Sequence, residues 1–569
     1  MTKTTNHSWT KKQEKFLDLN KTGKFVVKAC PGSGKTTAVT ERVYKFIKNW
    51  NNKKSGIAVL SFTNIAADEI KEKLEKKERN LEIGYPHFIG TLDSFFNTYI
   101  FLPYGHLVMN CEKRPILVGD PVSHWSSGDY IENYFDRVKF TIDGEVEYKN
   151  KRLDYAEIKQ MKYRLTREGF ATQNDANYHA MKVLEQYPHI AKALSIRFPH
   201  MIIDEAQDTS DIQMRIMDLL VENGLDNLIL VGDPEQSIYE WKGGKPELFN
   251  EKYEKWKKNS IIFDDNFRSS QKICDFFSKL SDINTINSKC NHSTNIPPKI
   301  IPYKTNYKHI IDEFKEECIK NRIKLNEKNV SILFRGNKEV KKYKKSLKIN
   351  DVPNLFEFYS DSKSRTVNII EGLFHWNNEN HLEGFQIMEK EYLKLKYRTN
   401  KITNLDIFEE ITVQGFQNHR LNVYNFINVF PPIENNQTIN SWINKVNYKF
   451  KDYFRLSEVK NDIMYNTNYH SREVTFDLLF NEDSENNLDY HIGTVHSVKG
   501  GSFDATLLVL KEETEHNEKY SKIIPDNINL NKNPELRVIY VALSRAKKLL
   551  YLAVPQKDYK MWKSIFYNN

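Results

Sequence analysis

Residues 29–37 read ACPGSGKTT and follow directly on the apolar run Phe25–Val27. From Ala29 to Thr36 the spacing is that of a phosphate-binding loop, with Ala29 where the first glycine usually stands. Gly32 and Gly34, set among Pro31 and Ser33, let the backbone turn its N–H groups towards a phosphate. The helix that starts at Lys35 adds a favourable dipole. Lys35 is then placed to reach the β- and γ-phosphates of a nucleotide, and the Thr36 hydroxyl to ligate Mg2+. Residues 201–208 read MIIDEAQD, an apolar strand that ends in paired acids. Asp204 would hold the Mg2+, directly or through water, and Glu205 would polarise an attacking water as a general base. A glycine-rich turn or an acidic strand end is ordinary by itself. The two in one chain imply a site that hydrolyses a nucleotide.

Such a site needs an α/β frame with parallel strands. Lys24 to Phe62 reads as strand, turn, helix and strand, with Phe25–Val27, Lys35–Ile47 and Ile57–Phe62 as the elements. A further helix follows, where Ile65, Ile70 and Leu74 fall near helical spacing. This alternation indicates a parallel sheet covered by helices. It resumes at Met201–Ile203 and Leu228–Val231, at Ser331–Phe334, and at Ile492–Val495, Thr506–Leu510 and Leu549–Val554. The stretches 96–194 and 341–488 lose the pattern and read as mostly helical insertions. The expected organisation is two α/β domains, 1–95 with 195–265 and 266–340 with 489–569, each interrupted by one insertion.

The 569 residues suffice for three or four domains at roughly 150 residues each. No run of about 18 apolar residues occurs, so neither a transmembrane helix nor a membrane partner is expected. The N-terminal MTKTTNHSWTKKQEKF lacks the apolar core of a secretory signal. Cys30, Cys111, Cys274, Cys290 and Cys318 are scattered and form no CxxC, which argues against a disulfide framework, a zinc site or an iron–sulfur cluster. A reducing cytoplasm is the expected compartment. The net charge of +9 and the isoelectric point near 8.8 permit a nucleic-acid partner.

The segments around the site, taken in order, resemble the superfamily 1A helicases of the UvrD/Rep/PcrA-like group. They are Gln13 in WTKKQEKFL, VLSFTNIAADEI at 59–70, IGTLDSFF at 89–96, IIDEAQDTSDIQ at 202–213 and LVGDPEQSIYEWKGG at 230–244. Then come NFRSSQKI at 266–273, ILFRGN at 332–337, IGTVHSVKGGSFD at 492–504 and ELRVIYVALSRAKK at 535–548. The resemblance implies two RecA-like domains, 1A and 2A, with the insertions as subdomains 1B and 2B. It implies ATP as substrate with Mg2+. Gln13 would read the adenine edge and Phe267 would stack beside it, with Thr37 near the base. Gln236 would sense the γ-phosphate, and Arg268 and Arg545 would reach that phosphate from the second domain. ATP would then close the cleft and hydrolysis would release it.

A translocating motor needs a sequence-tolerant grip, which stacking on aromatic rings supplies. Tyr239 and Trp241 follow Gln236 within five residues. The resemblance places Phe62, Asn64, Thr91 and Lys242 at the single strand as well, with His496 and Arg335 as further candidates. The expected activity is ATP-dependent 3′→5′ translocation on single-stranded DNA and strand separation at duplex junctions, in DNA repair or anti-phage defence. An alternative is a DNA-sensing ATPase that unwinds little and activates a separate nuclease of the OLD type. A non-catalytic DNA-binding scaffold is the third alternative, against which the complete catalytic set argues.

The chain departs from the family pattern at several positions. Gly501 and Ser502 stand where Leu-Glu is usual, which puts the ribose contact in doubt. Thr37 stands for an arginine beside the adenine, Asp93 for a histidine, Lys242 for an arginine and Ser544 for a threonine. The wording HSVKGGSFDATLL and VALSRA resembles compact helicases of prokaryotic anti-phage systems such as Gabija, in which a helicase-like protein works with a separate nuclease. The stretch after Leu549–Val554 is shorter than the usual domain minimum, so a carboxy-terminal nuclease domain is not expected.

Overall fold

The computed structural model describes residues 9–78, 81, 83–118, 135, 137–148, 154–238, 243–283, 285–292, 294, 296–304, 307–346, 365–377, 380–397, 399, 402, 404–434, 436–438, 441, 442, 444–446, 476, 488–514, 518–524, 530 and 533–567. It divides into two compact units. One comprises Met1–Leu117, Val138–Lys341 and Asp489–Asn569, and the other Val118–Arg137 and Lys342–Leu488.

Among the described residues the first unit holds two large sheets, in each of which all strands run parallel. The strands of the first sheet are β1 (Phe25–Ala29), β2 (Ile57–Ser61), β3 (Phe88–Thr91), β4 (His200–Ile203), β5 (Asn227–Gly232) and β6 (Ile261–Phe263). They lie in the order β6-β1-β5-β4-β2-β3. Both faces are buried, so the strands read as unbroken apolar runs rather than alternating ones. Val26, Leu60, Met201, Ile203 and Leu230 face one core, and Phe25, Val27, Val59, Ile202 and Val231 face the other.

The second sheet has β7 (Lys299–Tyr303), β8 (Val330–Phe334), β9 (His491–Thr494), β10 (Phe503–Val509) and β11 (Ala546–Pro555), in the order β7-β11-β10-β8-β9. β8 and β9 pair directly, Ser331 beside His491, although residues 342–488 of the second unit separate them in sequence.

Three strands are not legible as apolar runs: β3, β6 and β7. Each is an edge strand. β6 has three residues, with Ile262 exposed, and β7 contains Lys299 and Pro302. Edge strands are kept short, charged or proline-bearing because an open edge invites pairing with other chains.

The stretch 96–194 is largely helical where described, including Tyr155–Arg167, Gln173–Gln186 and Pro188–Arg197. Two small strand pairs also occur in it: Ile116–Leu117 with Phe170–Ala171, and Lys139–Phe140 with Val146–Glu147. Its helices share one core with the first sheet, where Phe96, Phe101, Ala180 and Leu184 join Val26 and Leu60. Within it Lys162 and Asp175, both fully buried, form an ion pair at 2.6 Å, and Asp175 also accepts the Thr172 N–H at 2.8 Å. Lys162→Met would leave that carboxylate buried without its cation. We expect a loss of about 3–5 kcal/mol in urea unfolding, and a loss below about 1 kcal/mol would mean that water reaches the pair.

The second unit is helical where described, with Arg365–Asn377, His381–Lys396, Asn404–Gln414 and Phe416–Val429 around a core of Ile370, Met388, Val423, Phe426 and Trp442. No helix among the described residues is long and apolar enough to cross a membrane.

Candidate nucleotide-hydrolysis site

In parallel α/β sheets functional groups gather beyond the carboxyl ends of the strands. Here β1 runs into the turn Cys30–Gly34, β4 into Asp204 and Glu205, and β5 into Asp233–Gln236. Gly32 and Gly34 have φ of +67° and +73°. A Cβ on Gly32 would lie 2.7 Å from the Arg268 Cβ, so only glycine fits between the turn and the NFRS segment. That segment clasps the turn. Asn266 Nδ2 donates to the Pro31 carbonyl at 2.6 Å, and the Phe267 N–H to the Gly32 carbonyl at 2.9 Å. Gln13 is buried beside it, its Nε2 donating to the Ser33 carbonyl and its Oε1 accepting from the Thr10 N–H, both at 3.1 Å. Its amide orientation is therefore fixed from within the chain. Thr37 lies half-buried in the first turn of the helix Lys35–Lys48.

Lys35 Nζ meets Glu205 Oε1 at 2.5 Å, and the Thr36 hydroxyl donates to Asp204 Oδ2 at 3.2 Å. Burial alone would lower the Lys35 pKa, but Glu205 and Asp204 outweigh it and hold the ammonium above its ordinary value. Burial works the other way on Glu205, yet Lys35 and then Lys499 keep its carboxylate below the usual range. Burial, then the charge of Glu205, pushes Asp204 up. The site thus keeps Glu205 ionised, as a base requires. The paired hydroxyl and carboxylate of Thr36 and Asp204 suit a hard cation that retains several waters, which is how Mg2+ binds. The Ser33 hydroxyl, buried at the turn, has no hydrogen-bond partner among the described residues.

Glu205 is held on its other oxygen too. Gln207 Nε2 donates to Glu205 Oε2 at 2.7 Å and to Asp208 Oδ2 at 3.1 Å, while Gln207 Oε1 accepts the Asp233 N–H at 3.0 Å.

The second sheet closes the site. Arg545, at the residue before β11, donates through Nη2 to Gln236 Oε1, and Gln236 Nε2 donates to Asp233 Oδ2 at 2.5 Å. Arg268 Nη1 donates to the Ser544 carbonyl at 2.9 Å. Arg537 reaches the Ser237 carbonyl at 2.9 Å, and Lys499 pairs with Asp208 at 2.7 Å. Burial lowers the Arg268 pKa to about 10, and burial followed by the charge of Arg268 lowers that of Arg545. Two desolvated guanidiniums beside a glycine-rich turn favour a polyanion there.

Residues 9–115 and 125–257 match the UvrD/REP helicase N-terminal domain. This N-terminal part of the chain is thus UvrD-like. A probable DNA helicase II homolog of Mycoplasma capricolum is 24% identical over 95% of this chain and 83% of its own length. Another, of Mycoplasma genitalium, is 22% identical over 93% and 82%. The exonuclease/helicase protein RexA of Streptococcus pneumoniae is 37% identical over 117 residues, which are 19% of this chain and 10% of that protein.

The candidates for a contact with a nucleic-acid strand are spread unevenly. Asn64 is exposed and Phe62 half-buried at the end of β2. The Thr91 hydroxyl, at the end of β3, caps the helix Leu92–Phe96, accepting the Ser94 N–H at 3.1 Å. His496 is half-buried in the turn His496–Val498 after β9. Arg335 forms a bidentate pair with Glu535 at 2.7 and 2.9 Å through Nε and Nη2, within the second sheet's domain. Tyr239, Trp241 and Lys242 lie outside the described residues.

Asp93 accepts from Asn177 and Gln213, each at 2.9 Å, and joins three helices. Gln207, Asp208, Asn266, Lys499 and Arg537 are site residues that sequence reasoning misses. Each lies inside one of the motifs above, and a polar side chain in an otherwise apolar motif, at a strand end or, for Arg537, in the helix Pro534–Leu543, is the signal that could have found it.

Proposed function

We propose that this chain is an ATP-dependent DNA helicase that translocates 3′→5′ on single-stranded DNA and opens duplex junctions. The observation that carries the reading is the Asp233–Gln236–Arg545 chain. Through it an arginine of the second sheet's domain feels the charges of Asp233 and of the Glu205 that pairs with Lys35, which supports the reading. Mg2+, held by Thr36 and Asp204, would shield the phosphate oxygens and orient the γ-phosphoryl group. Lys35 binds the β- and γ-oxygens, Glu205 takes the proton of the attacking water, and Arg545 and Arg268 meet the charge that develops on the transferred group. Gln236 touches both Arg545 and the strand end that leads to Tyr239 and Trp241, so loss of the γ-phosphate alters the grip on a base. DNA as substrate is supported by the relatives named DNA helicase II and by the basic net charge. A cytoplasmic location fits this reading.

Phosphate release with and without a single-stranded oligonucleotide tests the ATPase, and a forked duplex with a 3′ tail tests unwinding. Stimulation by the oligonucleotide of about tenfold or more, with strand separation on the 3′-tailed fork, is the expected result. Stimulated ATPase without strand separation by the purified chain would replace unwinding with the sensing of DNA for a separate nuclease. No stimulation at all would sink the motor reading.

A further inference from the structure

Arg268 is held from behind by residues that lie outside every motif named above and to which no role has been given. We propose that His292 and Ser288 are positioning residues, which fix the backbone at Arg268 so that its guanidinium meets the transferred phosphoryl group. The proposal rests on the reading of Arg268 as a group at that phosphate.

The short strand Asp265–Asn266 pairs in parallel with Asn287–Ser288. The Asn287 N–H donates to the Asp264 carbonyl at 2.9 Å, and the Lys289 N–H to the Asn266 carbonyl at 2.7 Å. A continued parallel ladder would next offer a backbone N–H to the Arg268 carbonyl. Here a side chain makes that bond instead. His292, half-buried, has its Nε2 3.2 Å from the Arg268 carbonyl oxygen, and its Nδ1 lies 3.0 Å from the Thr294 hydroxyl. A carbonyl can only accept, so Nε2 carries the proton, and Nδ1 of the neutral ring accepts from Thr294. The Ser288 hydroxyl takes the next carbonyl, that of Ser269, at 2.7 Å. On the other side the Ser269 N–H donates to Asn266 Oδ1 at 2.7 Å, and the Ser269 hydroxyl to the Ala546 carbonyl at 2.6 Å. The peptide group that links Arg268 to Ser269 is therefore held at both ends, its carbonyl by His292 and its N–H by Asn266. A long arginine side chain is aimed only as well as the backbone it leaves. Arg268 Nη1 donates to the Ser544 carbonyl at 2.9 Å, and a tilt of that peptide would swing the fork away from the phosphate turn.

The test measures ATP turnover by the full chain at saturating single-stranded oligonucleotide, with single-turnover phosphate release for the slow variants. His292→Leu should lower kcat about three- to tenfold with KM for ATP within about twofold, the effect of losing one neutral hydrogen bond at an aiming position. His292→Gln, whose amide nitrogen can stand where Nε2 stands, should return kcat to within about twofold of wild type. Ser288→Ala should show the same split as His292→Leu, and it keeps the test open if His292→Leu folds poorly. In an Arg268→Ala background the His292→Leu effect should shrink below about twofold, because no fork is left to aim. A glutamine that rescues nothing would overturn the proposal, as would a raised KM at unchanged kcat. A slow Arg268→Ala in which His292→Leu still costs its full factor would overturn the positioning role alone. An Arg268→Ala that turns over ATP as the wild type does would overturn the reading of Arg268 and this proposal with it.

Discussion

A Glu205→Gln variant is expected to bind ATP and to turn it over about 10²–10⁴ times more slowly than the wild type, the usual contribution of a general base. The geometry makes this variant more informative than alanine. Both partners of the Glu205 carboxylate are donors, Lys35 Nζ at 2.5 Å and Gln207 Nε2 at 2.7 Å. A glutamine offers one acceptor and one donor, so it can satisfy only one of them. The Lys35 ammonium, as the charged partner, keeps the oxygen. Lys35 also loses a competing anion, so nucleotide affinity should hold or rise. Lys35→Ala should behave differently and lose both affinity and turnover. The check is phosphate release paired with titration of a fluorescent ATP analogue. Turnover within about tenfold of wild type, at unchanged affinity, would remove Glu205 from the role of base.

Much of this site is legible in the sequence because its parts sit at strand ends. The chain must leave a buried apolar strand through a turn, and there a polar residue stands out. Lys35, Asp204, Glu205 and Gln236 each follow such a run, and the structure brings them together. Strands with apolar neighbours on both sides, such as β1, β4, β5 and β10, are legible for the same reason. Edge strands β3, β6 and β7 are not, since half their surface need not be apolar. Residues that act by touching other protein groups are also hidden. Nothing in the string DEAQD says that Gln207 binds back to Glu205 while Asp208 reaches forward to Lys499, because those contacts depend on the turn at Glu205, whose φ is +55°. Arg335 is the converse case. The resemblance makes it a candidate for the single strand, but a carboxylate 200 residues along the chain takes one edge of its guanidinium through Nε and Nη2.

Arg545→Ala is expected to cost about 10³–10⁵ in kcat, the range for an arginine that meets charge on a transferred phosphoryl group. Four contacts hold the guanidinium in place: the carbonyls of Val541 and Gly501, the Ser544 hydroxyl and Gln236 Oε1. None of these partners carries a formal charge. The cation is thus oriented without being neutralised, and Arg268 nearby raises the cost of keeping it charged in the buried site. In the proposed reaction nucleotide phosphates would supply the missing negative charge, most strongly as it builds on the γ-phosphoryl oxygens. Arg545→Lys should rescue little, because an ammonium cannot span Gln236 and the two carbonyls that aim the fork. ATP affinity should fall far less than kcat, since a preorganised donor acts chiefly in the transition state. Gln236→Ala should reproduce part of the defect, because it frees the end of Arg545 that faces Asp233. Single-turnover kinetics separate these outcomes. A fall in affinity as large as the fall in rate would make Arg545 a ground-state contact and leave Arg268 as the group that meets the transferring phosphate.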